Sequence, residues 1–313
     1  MITQQTKTEK QKPFYITSDL IEEWAEITLR DKESSYLTGI DDFDELLEGS
    51  LRGKFLALIG KGGSGKSIFG LQVATGNSIN TNTVGAFLNG EMSNANLFSR
   101  ILDYGFGATD KTNNKRASLH FKDTLTKSNK EAMVAKLRDK MNMMFKDSLI
   151  VTNETNVESL YKLVATVRNS GKEVLGIVVD SAAMMDSKNG MGNTELAEYY
   201  SKEYKKLANK ENICVLTIYH VPKSVPNDKR DLSEDGKDAG KIFDNADVTI
   251  SFSSILDEEG KRIKELKYLQ LFDKRGSGEY RDVICEVDQN HLVLRKTGYD
   301  PYDERFKERS LRD

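Results

Sequence analysis

The sequence GKGGSGKS, residues 60–67, decides the fold of this chain. It follows the apolar run KFLALI at 54–59 and leads into the helix-like stretch SIFGLQV at 67–73. The pattern GxxxxGK[ST] between a strand and a helix is typical of a phosphate-binding loop, because its glycines permit a tight path on which successive backbone N–H groups turn towards an anion. The sequence therefore predicts a P-loop over 60–67 and a nucleotide site with it.

The side chains of this loop predict what binds there. Lys66 would reach the β- and γ-phosphates of a nucleotide, and the hydroxyl of Ser67 would hold Mg²⁺. A nucleotide and Mg²⁺ are therefore the predicted ligands, and the resemblance given below makes the nucleotide ATP. The residues predicted to line the nucleotide are Gly60, Gly62, Gly63, Ser64, Gly65, Lys66 and Ser67.

Composition limits the class of protein. The 313 residues are 38% hydrophobic and 30% charged, which is ordinary for a soluble globular protein. No apolar run is long enough to span a membrane, and the polar N-terminal segment lacks a signal region. Cys214 and Cys285 both fall in strand-like runs and are predicted to be reduced core residues. We therefore expect a cytoplasmic protein, in the host cytoplasm if a phage encodes it.

The formal net charge of −3 bears on nucleic-acid binding. A protein that coats nucleic acid with its whole surface is usually basic. Any contact with nucleic acid must therefore be local, as a ring or filament could make with a few loops.

Four segments are predicted along the chain. Residues 1–17 are predicted to be a disordered tail, 18–35 a leading helix and linker, 36–298 an α/β core, and 299–313 a charged tail. The stretch SDLIEEWAEITL at 18–29 carries apolar residues at helical spacing. It is either a helix folded back on its own domain or an arm that docks on a neighbouring subunit.

Strand-like and helix-like segments alternate through the core, which predicts a mostly parallel sheet covered by helices on both faces. The last two strands, joined by Asp288-Gln289-Asn290, are predicted to pair as a terminal antiparallel hairpin. The polar stretch 110–127 is interpreted as a surface excursion rather than a site. Helices are predicted at 128–145, 156–168 and about 194–209, and strands at 54–59, 84–88, 149–152, 174–180, 213–219, 247–253, 268–273, 282–287 and 291–295.

Two carboxylates lie where nucleotide hydrolysis needs them. Asp180 ends the apolar run VLGIVV at 174–179, and a carboxylate at the carboxyl end of a buried strand beside a P-loop would hold Mg²⁺ through water. Glu91 follows the strand-like run at 84–88 and could activate a water in line with the γ-phosphate. A glutamate that only caps the next helix is the alternative interpretation of Glu91.

Several stretches, taken in order, resemble the RecA-like ATPases and specifically the motor domain of DnaB- and Twinkle-type ring helicases. The resemblance implies a RecA-like α/β fold and covers roughly residues 36–297, interrupted near 110–145. The stretches that carry it are TGIDDFDELLEGSLRGKFLALIGKGGSGKS, FLNGEMS with a later Arg100, IVVDSAAMM, LTIYHVPK, DLSEDGKDAGKIFDNADVTISFS and YLQLFDKRGSGEYRDVICEVDQNHLVL.

The resemblance implies roles that spacing alone does not give. Glu91 would be the base that activates water, and His220 would sense the γ-phosphate and pass that state to the adjoining loop. Arg275 would be an arginine finger supplied to the ATP of a neighbouring subunit, so that full activity needs an oligomer. The Lys-x-Arg pair that is usual in the family stands here as Asp273-Lys274-Arg275, which makes Lys274 the candidate for the role of the lysine.

By the same resemblance, two loops, 181–194 and 222–241, would contact DNA. The second loop mixes positive and negative charge, which is typical of a solvated loop, but a ring repeats each contact and needs only one or two cations per subunit. Neither loop carries an aromatic platform for base stacking. The candidate phosphate contacts are Lys223, Lys229, Arg230 and Lys237.

The resemblance favours an ATP-dependent motor, a DNA helicase that forms a hexameric ring and translocates on single-stranded DNA. A primase or a loader would be its replication partner. Two alternatives stay open. One is a RecA-like recombinase or recombination mediator that forms filaments on single strands, and the other is a switch ATPase that is indifferent to DNA.

Overall fold

Nine strands form one sheet in the part of the chain that the structure, a computed structural model, describes. All of this part belongs to the compact unit Tyr36–Asp313. The described residues are 36–76, 83–109, 117–145, 148–153, 156–180, 191–222, 224–225, 239–257, 259–288 and 293–302. The helix predicted at 18–29 lies outside these residues, so its docking role stays a prediction.

The strands follow the chain as β1 to β9, and their order across the sheet is 3-2-4-5-1-6-7-8-9. The strands from β3 to β6 in that order pair in parallel, and the remaining three pair antiparallel. Their bounds are β1 Phe55–Gly60, β2 Thr83–Asn89, β3 Leu149–Thr152, β4 Glu173–Asp180, β5 Cys214–His220, β6 Val248–Leu256, β7 Arg262–Asp273, β8 Tyr280–Asp288 and β9 Val293–Lys296.

Eight helices lie in the described segments and cover the sheet. Helices α2, α3 and α5 contribute core residues to one face, and α6, α7 and α8 contribute to the other. Their bounds are α1 Asp41–Leu46, α2 Lys66–Gly76, α3 Asn94–Thr109, α4 Ala117–Thr124, α5 Lys130–Phe145, α6 Val157–Asn169, α7 Asn193–Glu211 and α8 Ala239–Asn245.

The central strand β1 shows why the core is two-sided. All its residues are buried, and successive side chains point to opposite faces. Leu56 and Leu58 pack in the cluster that includes Phe69 of α2, whereas Phe55 packs in the opposite cluster with Tyr204 of α7. An apolar run without alternation is what a parallel strand needs when helices cover both of its faces.

The predicted fold class is confirmed. Each predicted strand occurs, and all except β7 begin and end within three residues of their predicted bounds. The final pair, β8 and β9, is antiparallel as expected. The antiparallel part is larger than the hairpin, because β7 also runs antiparallel to β6 and begins at Arg262 rather than 268. Polar residues at the start of β7 hid that extension from the apolar pattern.

The cysteines lie where the sequence indicated. Cys214 and Cys285 are free thiols and are buried. Burial raises the pKa of Cys285 to about 12 and raises that of Cys214 further above its ordinary value. Both therefore stay protonated core residues at neutral pH. Within the described ranges, none of the helices is apolar over a length that could cross a bilayer.

Candidate nucleotide-binding site

The loop between β1 and α2 has the backbone of a phosphate cradle. Gly63 and Gly65 have φ values of +76° and +108°, a region that side chains other than glycine rarely adopt. Gly60 is needed for a different reason, because a Cβ there would lie 2.7 Å from the carbonyl oxygen of Phe252. These positions explain the glycines of the motif, and the loop ends at the first turn of α2, where backbone N–H groups have no helical partner.

Lys66 is folded back on this loop. Its Nζ donates hydrogen bonds to the carbonyls of Gly60 and Lys61, both at 2.7 Å. Burial lowers the pKa of Lys66 to about 8, although the nearby carboxylates of Asp180 and Glu91 act in the opposite direction. The lysine is therefore charged at neutral pH, and its only hydrogen-bond acceptors in the described chain are carbonyls that a phosphate could replace.

Asp180 ends β4 and is fully buried. Within the described chain, neither of its carboxylate oxygens accepts a hydrogen bond of the usual length and angle. Burial raises the pKa of Asp180, whereas the neighbouring Ser67 hydroxyl lowers it. A buried carboxylate without a partner is costly, and a bound cation would remove that cost.

The residues present therefore fit Mg²⁺. In the described segments, no cluster of three or more His, Cys, Asp or Glu side chains could hold a metal on its own. Mg²⁺ does not need such a cage, because it usually keeps several waters and binds one or two protein oxygens together with substrate phosphates. Ser67 and Asp180, the two predicted ligands, are the side chains that would supply those oxygens.

Strand order brings Glu91 and His220 together. The carboxyl ends of parallel strands meet at one edge of the sheet, where Asn89 pairs with Asp180 and Gly60 pairs with His220. The Nε2 atom of His220 lies 3.2 Å from an Oε atom of Glu91. Both side chains are partly exposed, so water can reach them.

A cleft of about 710 Å³ opens over the P-loop. Its floor is the loop and the start of α2, and Glu91 and His220 lie on its wall. Helices α3 and α4 also line the cleft, through Arg100, Asp103, Ser118, Leu119 and Lys122.

Helix α4 belongs to the stretch 110–127, which is predicted to be a surface excursion rather than a site, yet it contributes to the lining of the cleft. Residues 110–116 of that stretch lie outside the described residues. Asp103 of α3 accepts two hydrogen bonds from Ser118, from its N–H at 2.8 Å and from its hydroxyl at 2.9 Å. Asp103, Ser118 and Phe121 are buried, so α4 is fixed on α3. The sequence hid this role because a helix that lines an open cleft is as polar as one on a free surface. The apolar pair Leu119 and Phe121 was the available signal.

Lys274 and Arg275 lie at the opposite edge of the sheet. Asp273, at the end of β7, pairs with Val248, and Val248 pairs with Leu56 near the start of β1. The P-loop follows the other end of β1, four residues and about 13 Å further along the strand. Arg275 therefore does not line the cleft of its own chain, and neither does Lys274. That Lys274 takes the role of the family's lysine at a nucleotide stays a prediction.

The predicted DNA contacts lie outside the described residues. This applies to Lys223, Lys229, Arg230 and Lys237, and to 181–190 of the first loop. Their assignment stays a prediction.

Comparison with known proteins gives a family and a fold. The profile of the family described as DnaB-like helicase C terminal domain matches residues 36–285. No curated protein sequence matches the chain. One solved structure of an ATPase domain is similar, with a TM-score of 0.70 and 16% identity over 91% of this chain and 100% of that one.

A second similar structure is that of a DnaB-like replicative helicase and its interactions with primase. Its TM-score is 0.67, with 18% identity over 91% of this chain and 67% of that one. At these identities the two structures show a shared fold.

Proposed function

The chain belongs to the DnaB-like helicase C-terminal domain family, and on that premise we propose that it is an ATP-dependent DNA helicase that translocates on single-stranded DNA as a hexameric ring. For ATP hydrolysis, the observation that carries the proposal is the buried carboxylate of Asp180 beside the Ser67 hydroxyl, at the same sheet edge as the P-loop and the Glu91–His220 pair. Translocation on DNA and the ring rest on the family. A P-loop alone would support nucleotide binding. The added carboxylates support hydrolysis.

The geometry supports a chemical role for each residue at this edge. Glu91 takes the proton of a water whose oxygen attacks the γ-phosphorus, while the bond from that phosphorus to the β,γ-bridging oxygen breaks and ADP leaves. His220 holds the Glu91 carboxylate through its ring nitrogen. Lys66 exchanges its loop carbonyls for the β- and γ-phosphates. Bound Mg²⁺, held by Ser67 and Asp180, would neutralise phosphate charge.

We place Arg275 in a neighbouring subunit's site. It lies at the sheet edge opposite to its own P-loop, and its side chain is about half exposed. An arginine at the transferring phosphoryl group stabilises the charge of the transition state, which is the usual function of a finger supplied in trans. The assembled ring is then the active form.

The proposed partners follow from the family and from charge. The net charge of −3 restricts DNA contact to local sites, for which Lys223, Lys229, Arg230 and Lys237 are the candidates. One similar structure is of a replicative helicase and its interactions with primase, and we extend that partner class, or a loader, to this chain. The activity is proposed for the cytoplasm.

The test is the steady-state ATPase rate with and without single-stranded DNA. Glu91→Gln is the matched control, because it keeps the shape of the side chain and loses the base. We expect strong stimulation by DNA in the wild type, none in the variant, and strand displacement only with hydrolysis. Filaments that pair homologous strands would instead indicate a recombinase, and hydrolysis that is indifferent to DNA would indicate a switch ATPase.

A further inference from the structure

The turn between β7 and β8, residues 273–278 with the sequence DKRGSG, is built around one carboxylate. Asp273 accepts hydrogen bonds from the N–H of Gly276 at 3.1 Å and from the N–H of Ser277 at 2.8 Å. Its side chain is buried, at 3% exposure. The backbone closes the turn as well, because the N–H of Gly278 donates to the carbonyl of Asp273 at 2.8 Å.

Gly276 leaves the room that this carboxylate occupies. A Cβ on Gly276 would lie 2.0 Å from an Oδ atom of Asp273, which no packing tolerates. The two residues are therefore matched. The space beside Gly276 holds the carboxylate of Asp273, the residue that stands where the resemblance implies a lysine.

The same turn presents Lys274 and Arg275. The N–H groups of both donate to the carbonyl of Asp247, at 2.9 and 3.2 Å. Asp247 is itself fixed, because its carboxylate accepts from the N–H of Phe55 at 2.8 Å and forms an ion pair with Lys205. The backbone of the finger is thus held from both sides, by Asp273 within the turn and by Asp247 at the start of β6.

The side chains that this backbone carries are held more weakly. Nη2 of Arg275 donates to the carbonyl of Asp244 at 3.0 Å, and Nζ of Lys274 donates to the carbonyl of Phe243 at 2.9 Å. Both acceptors are neutral carbonyls in the last turn of α8. A carboxylate oxygen of Asp247 lies 3.8 Å from Nε of Arg275 and one of Asp244 lies 3.9 Å from Nζ of Lys274, both too far for a hydrogen bond. A phosphate is a stronger acceptor for a guanidinium than a carbonyl is.

We propose that Asp273 is a positioning residue for Arg275: it fixes the backbone of the turn, so that only the guanidinium has to leave the Asp244 carbonyl to reach a neighbouring subunit's nucleotide. This rests on the proposed function, in which Arg275 acts in trans. The chain has exchanged a second cation at 273 for a buried cap, and Lys274 is the remaining partner cation. A preordered finger lowers the barrier because less freedom is lost in the transition state.

The experiment compares two aspartates that cap the turns at the two ends of β7. Asp273→Asn removes the charge that two N–H groups share. Asp257→Asn is the matched control, because Asp257 caps the β6–β7 turn in the same way, accepting from the N–H groups of Glu259 at 3.0 Å and Lys261 at 2.8 Å. We expect Asp273→Asn to lower kcat about tenfold with an unchanged KM for ATP, and Asp257→Asn to change neither.

A subunit-mixing readout separates positioning from simple loss of structure. Chains that carry Lys66→Ala supply only the finger, and chains that carry Arg275→Ala supply only the P-loop, when the two are co-expressed. We expect Asp273→Asn to lower the rate of the mixed assembly when it is placed on the finger-supplying chain, and to have no effect on the P-loop-supplying chain. The second result also shows that the variant chain folds.

An equal loss on either chain, or wild-type kcat for Asp273→Asn, would overturn the inference. So would an Asp273→Asn/Arg275→Ala double variant that is slower than Arg275→Ala alone. Failure of the proposed function gives a different result: the wild type hydrolyses no ATP, or Arg275→Ala matches it.

Discussion

Buried carboxylates at the two edges of the parallel sheet differ in how many hydrogen bonds they accept. At the carboxyl edge, both oxygens of Asp180 and the hydroxyl of Ser64 have no hydrogen-bond partner of ordinary geometry within the described chain. At the amino edge, Asp247 and Asp273 are also buried, but each accepts several hydrogen bonds from its own chain. The Asp180 site at the first edge is incomplete without a ligand, whereas the carboxylates of Asp247 and Asp273 at the second are hydrogen-bonded before any partner arrives.

This difference shows which part of the site is already ordered before a ligand binds. A buried polar group without a partner costs about 1–3 kcal/mol, and more when it is charged, so the carboxyl edge retains a driving force for binding cation and phosphate. The amino edge has little to gain from a ligand of its own. Under the proposed function, its hydrogen-bonded turn would present Arg275 to another chain's nucleotide.

The largest expected effect is on the amino edge. Arg275→Ala should lower kcat about a thousandfold, because an arginine finger stabilises the transition state. Nucleotide affinity should stay the same, since Arg275 does not line the cleft of its own chain. The measurement is ATP turnover together with binding of a fluorescent nucleotide, and Arg295→Ala, an exposed arginine on β9, is the control. A loss of binding without a loss of kcat would place Arg275 in its own chain's site.

The next largest effect is at the carboxyl edge, where one substitution should lower activity and raise stability. Asp180→Asn should lower Mg²⁺-dependent turnover at least about a hundredfold, because a cation ligand is lost. The same change should raise the free energy of unfolding by about 1 kcal/mol, because an unpartnered buried charge is removed. Chemical denaturation measures the second effect.

Asp273→Asn is the matched comparison for Asp180→Asn. It should lower the free energy of unfolding by about 1 kcal/mol, because the buried carboxylate that it replaces is fully used. Two changes of the same sign would remove the contrast between the edges.

A tenfold effect is expected from pH. Lys66 loses its proton above about pH 8 in the free protein, because burial lowers its pKa, whereas bound phosphate favours the charged form. Affinity for nucleotide should therefore fall about tenfold from pH 7 to 9. Lys66→Arg, which stays charged, should bind with no such slope if it keeps the site intact, and a titration with fluorescent ADP would show it.

The contribution of Lys66 to stability should have the opposite slope. Its pKa is lowered by folding, so between about pH 8 and 10.5 the unfolded chain binds more protons than the folded one. The free energy of unfolding should therefore rise with pH through that window. A wild type and a Lys66→Met variant with identical slopes would contradict this.

The smallest effect is at the α4 wall. Lys122 lines the cleft and has no ion pair with any residue that the structure describes. Lys122→Ala should raise the KM for ATP a few-fold, about the effect of one exposed charge, and leave kcat nearly unchanged. Lys136→Ala on the exposed face of α5 is the control. Equal KM values for the two variants would show that α4 does not contact nucleotide.

The sequence predicted the carboxyl edge, the proposed place of nucleotide and cation, more completely than the amino edge, the proposed place of a partner subunit. Continuous apolar runs placed β1 and β4, and the residues that follow such runs are at strand ends by necessity. The contact between Glu91 and His220 was beyond reach, because it depends on the strand order 2-4-5-1, which brings distant segments of the chain together.

Two features of the structure, the Asp273 turn and the contact of α4 with α3, depend on a contact between two residues that neither residue indicates alone. In the sequence, Asp273 is only a departure from the pattern that the resemblance implies. That it caps a turn depends on the space beside Gly276 and on the N–H of Ser277. Ser118 in a polar stretch gave no sign that it binds Asp103 across two helices. In both cases the information lies in a contact between positions rather than in their types.

Two edges from different chains are proposed to form one active site. Co-expression tests this directly, with Lys66→Ala on one chain, Arg275→Ala on the other, and a different tag on each. Doubly tagged assemblies would be isolated and their ATPase rate compared with that of each variant alone. We expect each variant alone to be nearly inactive and the mixed assembly to recover a substantial part of the wild-type rate. A mixed assembly as inactive as its components would contradict the account.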